Sequence, residues 1–294
     1  METRRILIAG LPESGKTTFL AALWHTLKHG KHPSLQLARI PDNAAYLTSL
    51  SMQWLSFEVV KHTTHETKRS TLLQVETMPG GPTFDLELPD LSGESFSNGF
   101  ELRGWETHVS ESSCTSTGLA LFVGPKIVDM MLIDDAINIA DKIAPPIDDG
   151  NTTHQVTATE KPQKATTPSK KWSASDSPTQ TYLVDILQQI SRERPRYRPL
   201  RVSVIASAWD KWMNSSLTPE KWLERTMPLL WQYLESNSAR FPWKAYGVSA
   251  QGGDYLNAER VRQLEEMDPC ERPIVASGTG VSNDLALPLA WFFE

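Results

Sequence analysis

The chain has 294 residues, 39% of them hydrophobic, which is enough apolar material to fill a sizeable core in one large or two small domains and excludes a disordered tail. A formal net charge of −6 supplies no basic field for nucleic acid or anionic lipid. Cys114 and Cys270 stand far apart and in no CxxC pattern, which argues against a disulfide framework or a zinc site and fits a reducing, cytoplasmic setting. No apolar run approaches the roughly 20 residues that cross a bilayer, so no membrane span is expected.

Arg5 to Gly10 reads as a short buried strand rather than a signal peptide, because Gly10 and Pro12 interrupt the apolar stretch. Thr17 to Lys28 reads as a helix with Phe19, Leu23 and Leu27 on one face, closed by Gly30. A second helical pattern covers Asp42 to Lys61 and carries Leu47, Leu50, Trp54 and Val59. Leu72 to Glu76 and Thr83 to Leu88 are strand-like, and the Met78–Pro82 turn between them makes them antiparallel neighbours. Gly118 to Val123, Leu200 to Ile205 and Trp243 to Val248 are further strands, separated by helical stretches that permit parallel crossovers.

Thr218 as N-cap, Pro219 and Glu220 open one helix running through Leu223 and Leu230 towards Leu234. Residues 144–180 are rich in Pro, Ser, Thr, Lys and Asp, with Trp172 as their only large aromatic, and are expected to be disordered. Helical patterns at Val128 to Ile143 and Tyr182 to Arg192 flank them, so they read as an insertion within a single domain spanning 1–294. The expected fold class is α/β, with a mixed, mostly parallel sheet and one antiparallel strand.

Gly10-Leu-Pro-Glu-Ser-Gly-Lys-Thr17 matches GxxxxGK[ST] between the strand and the helix that this motif requires. Its glycines let backbone N–H groups converge on phosphate oxygens at the positive end of the helix dipole. Gly10, Glu13, Ser14, Gly15, Lys16, Thr17 and Thr18 are therefore candidate triphosphate-binding residues, with Lys16 a point charge for the β and γ phosphates and Thr17 a ligand for Mg²⁺. Asp90 follows a strand in the run Leu88-Pro-Asp-Leu-Ser-Gly-Glu94, where a carboxylate suits Mg²⁺ held through water and the Gly93 N–H suits a γ-phosphate.

Asp210 and the run Ser249-Ala250-Gln251 stand at the ends of two later strands. Guanine presents two adjacent N–H donors that one carboxylate accepts together, so Asp210 reads as a base-selecting group or else as a helix-capping carboxylate, and Ala250 can add a backbone N–H for the guanine oxygen. The seven histidines form no metal-ligand spacing. Asp134 and Asp135 read as a solvated helix face. Trp209, Trp212, Trp222, Trp231 and Trp243 read as core, with a partner-binding patch as the alternative.

In this order and spacing the segments resemble the TRAFAC-class P-loop GTPases, the Ras-like and translation-factor-like proteins. Within that class GLPESGKTTFLAALWHTL, LPDLSGE, IASAWDKW and VSAQGG are similar to the bacterial double-GTPase family, over most of residues 1–260. The resemblance implies a three-layer Ras-like P-loop NTPase fold, GTP or GDP as ligand, Mg²⁺ as cofactor, and a protein partner or second GTPase-like subunit in a conflict or defence-type system. It implies a switch threonine among Thr63, Thr64 and Thr67, with Thr64 favoured as the third metal-side residue beside Thr17 and Asp90. Lys16, Glu94 and Thr64 are its implied catalytic residues.

Three departures qualify it. Ser207 and Ala208 replace the Asn and Lys of the guanine motif and leave only Asp210, with Trp209 or Lys211 available to cover the base, or Trp209 buried. Glu94 stands where the family pattern has a glutamine. It can accept a proton from water but cannot donate to the γ-phosphate, so hydrolysis is expected to be slow. Pro12 and Glu13 fill space that small residues leave for an inserted arginine. The alternatives are a nucleotide-binding scaffold with little turnover, or a P-loop ATPase or kinase, although no arginine-rich lid is recognisable.

Overall fold

The first strand, β1 (Arg4–Gly10), alternates so that Ile6 and Ile8 enter one apolar cluster while Leu7 and Ala9 enter another on the opposite face. A strand apolar on both faces needs cover on both sides, and this sets the layering. The computed structural model describes residues 4–30, 34–58, 60, 71–77, 81, 83–88, 99–101, 104, 107–129, 177–195 and 198–293.

One nine-stranded sheet runs β2-β3-β4-β1-β5-β6-β7-β8-β9. The remaining strands are β2 (Gln36–Leu37), β3 (Thr71–Glu76), β4 (Thr83–Leu88), β5 (Gly118–Val123), β6 (Arg201–Ser207), β7 (Trp243–Ser249), β8 (Ile274–Ser277) and β9 (Gly280–Ser282). The stretch β4-β1-β5-β6-β7 is parallel throughout. The expected antiparallel strand is β3, which pairs with β4 from Thr71 opposite Leu88 to Glu76 opposite Thr83. A second reversed strand, β8, pairs with β7 at the far end and leads into β9, and β2 extends the other edge. None of these three was foreseen, being short or lying beyond the motifs.

Helix α1 (Lys16–Lys28) and helix α2 (Ala44–Leu55) cover one face, where Phe19, Leu23, Leu47, Leu50 and Trp54 are buried with Ile6, Ile8 and Phe122. A short helix, α8 (Leu287–Ala290), and the 3₁₀ turn after it (Trp291–Phe293) add Leu289, Trp291 and Phe292 to the same cluster. The opposite face is covered by α4 (Thr179–Glu193), α5 (Pro219–Thr226) and α6 (Pro228–Ser236), through Leu183, Leu187, Trp222 and Leu230. Helix α3 (Thr107–Thr115) precedes β5 and α7 (Ala258–Glu266) follows β7. The result is the three-layer α/β arrangement. Among the described residues no helix is long and apolar enough to cross a membrane.

Several boundaries differ from expectation for identifiable reasons. The second helical pattern ends at Leu55, not Lys61, because Phe57 takes a left-handed φ of 58°. The single helix read from Thr218 to Leu234 is two helices: Pro228 lacks an amide hydrogen and drives Met227 to φ −130°, ψ 55°. Residues 179 and 180, expected to be disordered, are instead helical: α4 starts at Thr179, and Gln180 is buried with its Oε1 accepting the Leu229 N–H at 2.7 Å. Val128 and Asp129 are not helical, and the rest of the Val128–Ile143 pattern, residues 144–176, Asp134, Asp135, Trp172 and most of the Met78–Pro82 turn lie outside the described residues.

Candidate functional site

The turn out of β1 tolerates only glycine at two positions. At Gly10 (φ 151°) a Cβ would stand 2.6 Å from the Phe122 carbonyl oxygen and 2.9 Å from Ser14 Oγ; at Gly15 (φ 88°) it would stand 3.1 Å from Ser207. Glu13 is also left-handed, at φ 56°. The Ser14 N–H closes the turn on the Leu11 carbonyl at 3.3 Å. The loop is thus a tight turn packed against the ends of the neighbouring strands.

Lys16 lies beneath this loop. Its Nζ donates to the Gly10 and Leu11 carbonyls, both at 2.8 Å, and to Ser14 Oγ at 3.1 Å, so each ammonium proton has an acceptor. Burial pushes the ammonium down to about 8 from its ordinary value of 10.5, because the neutral form costs less to keep out of water. Helix α1 makes its first bond from Phe19 N–H to the Gly15 carbonyl at 2.9 Å. The amides of Lys16, Thr17 and Thr18 precede it and have no intrahelical acceptor, and Gly15 as N-cap has no side chain to offer them. An anion is the natural occupant of such an end.

Two further strands close on the loop. Gly124, just past β5, packs so closely that a Cβ there would lie 3.0 Å from Ser14 Cα, and two residues on Lys126 Nζ reaches Glu13 Oε2 at 2.5 Å. Both partners of this pair are largely exposed. β6 ends at Ser207, whose hydroxyl donates to the Val123 carbonyl at 3.1 Å while its side chain lies against Gly15. The phosphate-type loop and the segment carrying Asp210 therefore share one edge of the sheet.

After Ser207 the chain turns through Ala208 (φ 53°) into a single 3₁₀ turn, Trp209–Lys211. Trp209 is 2% exposed, lies across β7 where a Cβ at Gly247 would be 2.0 Å from its indole, and meets Trp222 edge to face. It is a core side chain, which removes it as a cover for a bound base. Asp210 Oδ1 accepts the Ser249 hydroxyl at 2.5 Å, and Ser249 Oγ in turn accepts the Gly252 N–H at 3.2 Å. One oxygen of the carboxylate is thereby tied to the end of β7.

Gly10, Glu13, Ser14, Gly15, Lys16, Thr17 and Thr18 stand together at the β1–α1 turn, and Asp210, Ser249, Ala250 and Gln251 stand together at the ends of β6 and β7. Thr64, Asp90, Gly93 and Glu94, with the alternatives Thr63 and Thr67, lie outside the described residues. Sequence reasoning missed three participants. Lys126 was findable only as a charge after a Gly-Pro turn; Trp54, whose indole N–H holds the Ala250 carbonyl at 3.0 Å, and Arg272 beside it carry no local signal at all.

A family model described as Double-GTPase 1 matches residues 7–292. The chain belongs to the Double-GTPase 1 family. The match runs from β1 to the last buried aromatics and so takes in both halves of the site. Membership makes this Double-GTPase 1 chain a GTP-binding protein. Among solved structures it is similar to the bacterial selenocysteine-specific elongation factor EF-Sec, at 11% identity and a TM-score of 0.36, covering 91% of this chain and 30% of that one. It is also similar to a chain of the signal recognition particle receptor SRb-GTP/SRX complex from Chaetomium thermophilum, at 13% identity and a TM-score of 0.39, covering 90% of this chain and 99% of that one. Comparison with curated proteins finds no match.

Proposed function

We propose that this Double-GTPase 1 protein binds Mg²⁺·GTP across the C-terminal ends of β1, β6 and β7, hydrolyses it slowly to GDP and phosphate, and works as a molecular switch for a protein partner, in a bacterial conflict or defence-type system. The observation that carries the reading is the approach of Gly15 to Ser207, which brings the glycine loop and the Ser249-held carboxylate of Asp210 to one end of the sheet.

At the phosphate end the amides at the start of α1 and the Lys16 ammonium neutralise the polyphosphate, with Gly10, Glu13, Ser14, Gly15 and Thr18 shaping the loop. At the base end Asp210 accepts the two adjacent N–H groups of guanine, Ser249 fixes its orientation, and Ala250 and Gln251 line the guanine oxygen. The Thr17 hydroxyl, partly exposed on the first turn of α1 next to amides without an intrahelical acceptor, offers the hard oxygen donor that Mg²⁺ prefers, with Asp90 and Thr64 assigned to the same ion. When bound, Mg²⁺ would supply positive charge against the phosphate oxygens. Glu94 orients the attacking water, and Gly93 with Thr64 anchors the γ-phosphate, so its loss releases their segments. The continuous sheet supports one domain over 1–294, interrupted by an insertion.

Calorimetric titration with GTP and with ATP, each with Mg²⁺, tests this. GTP is expected to bind more tightly, and Asp210→Ala to weaken GTP by about 10–100-fold while leaving ATP unchanged, the usual cost of losing a charge-assisted, two-donor contact. Equal or tighter ATP binding removes the guanine reading. Phosphate release that stays at background removes the hydrolysis.

A further inference from the structure

We infer that Trp54, far from the base in sequence and outside every nucleotide-binding motif, is a positioning residue for purine recognition. The inference rests on the guanine reading above and concerns how the loop after β7 is aimed. Trp54 is 0% exposed at the end of α2, and its Nε1–H donates to the Ala250 carbonyl at 3.0 Å across 196 residues of sequence.

A trans peptide is rigid and planar, so its carbonyl and the following N–H point in opposite directions. Holding the Ala250 oxygen against α2 therefore sends the Gln251 N–H away from α2. The preceding peptide is fixed as well, since the Ser249 carbonyl accepts the Gly252 N–H at 3.2 Å, which sets the direction of the Ala250 N–H. Beyond it, the Gly252 carbonyl accepts Arg260 Nη2 at 2.6 Å and Nε at 3.1 Å. Three carbonyls of the loop, those of Ser249, Ala250 and Gly252, are engaged, and that of Ala250 is engaged by Trp54. Without that donor the central peptide is free to rotate, and Ala250 and Gln251 lose their common aim beside Asp210.

The indole is itself clamped. The Arg272 guanidinium stacks 4.5 Å from the Phe57 ring centroid and 5.8 Å from that of Trp54, and its Nε and Nη1 find no hydrogen-bond acceptor among the described residues. Its charge faces aromatic π surfaces instead. Phe57 meets Tyr255 edge to face at 5.2 Å, and the Arg272 carbonyl packs where a Cβ at Gly252 would come within 2.1 Å. The end of α2, the base loop and the approach to β8 thus form one packed unit, so that α2 determines the geometry of the base contact.

The test compares Trp54→Phe, which keeps the aromatic packing and removes the donor, with the wild type in the full chain, by titration with Mg²⁺·GTP and Mg²⁺·ATP. A second variant replaces Trp54 by 3-benzothienylalanine, which changes only the N–H to sulfur and guards against a misfolded Phe variant. The wild type is expected to prefer GTP, and both variants to shrink that preference by about tenfold, through GTP alone, with ATP affinity and ligand-free melting temperature nearly unchanged. A preserved GTP preference in both variants, or an equal loss for GTP and ATP, overturns the role of Trp54 while leaving the guanine reading intact. A wild type that does not prefer GTP overturns the guanine reading, and this inference with it.

Discussion

At the proposed phosphate end, the run from Gly10 to Thr17 supplies the loop, the ammonium and the helix amides from one unbroken stretch of chain; at the proposed base end, Asp210, Ser249, Ala250 and Trp54 come from segments up to 196 residues apart. The first is held by bonds within itself, from Lys16 Nζ to Gly10, Leu11 and Ser14. The second is held by packing among β6, β7, α2 and the approach to β8. A charged, water-competing ligand group needs a rigid ring of donors, which a short loop can encode alone. A flat base needs edges aligned from several directions, which a single loop cannot supply.

The largest effect should come from the self-contained end. Lys16→Ala is expected to lower affinity for GTP and ATP alike by at least about 100-fold, as removal of a buried charge facing a polyphosphate does, measured by calorimetry. A loss confined to GTP would break the division between the two ends.

The next is a pH dependence with a fixed sign. Burial holds the free Lys16 ammonium down to about 8, whereas a bound polyphosphate favours the charged form and raises it. Binding above that point takes up a proton, so affinity should be flat below pH 8 and fall by up to about tenfold per unit as pH rises through it. GTP and ATP should follow the same curve, and Lys16→Ala should flatten it. The same depression means that, in the ligand-free chain, the unfolded form binds more protons between pH 8 and 10.5, so this group makes stability rise with pH across that window.

The smallest effect on affinity should come from Gly247→Ala at the base end, where the added Cβ meets the Trp209 indole at 2.0 Å. Crowding a packed core costs about 1–3 kcal/mol, readable as a lower melting temperature. GTP should weaken severalfold through displacement of the Trp209–Asp210 turn, and tripolyphosphate should bind as before. Equal weakening of both ligands would show that the two ends are not separable.

How much was legible in the sequence follows the same division. The glycine loop, its flanking strand and helix, the parallel strands and the antiparallel β3 were all readable, because each rests on short-range rules: φ restrictions, alternation and turn length. The break at Pro228 is equally local, but the apolar spacing that runs through Leu223, Leu230 and Leu234 continues across it. The edge strands β2, β8 and β9 are two, four and three residues long, too short to carry a pattern.

The sequence by itself determined the glycine turn of residues 10–17 between a strand and a helix, and a carboxylate, Asp210, just past a later strand, because glycine's freedom and strand and turn patterns act within a few bonds. Only the tertiary structure decided that Trp209 is core and Trp54 holds the base loop, that Lys126 meets Glu13, and that Arg272 lies buried against aromatic faces. These depend on which surfaces meet when helices settle on the sheet, and contact between distant segments is fixed by collective packing of the whole chain rather than by any local preference.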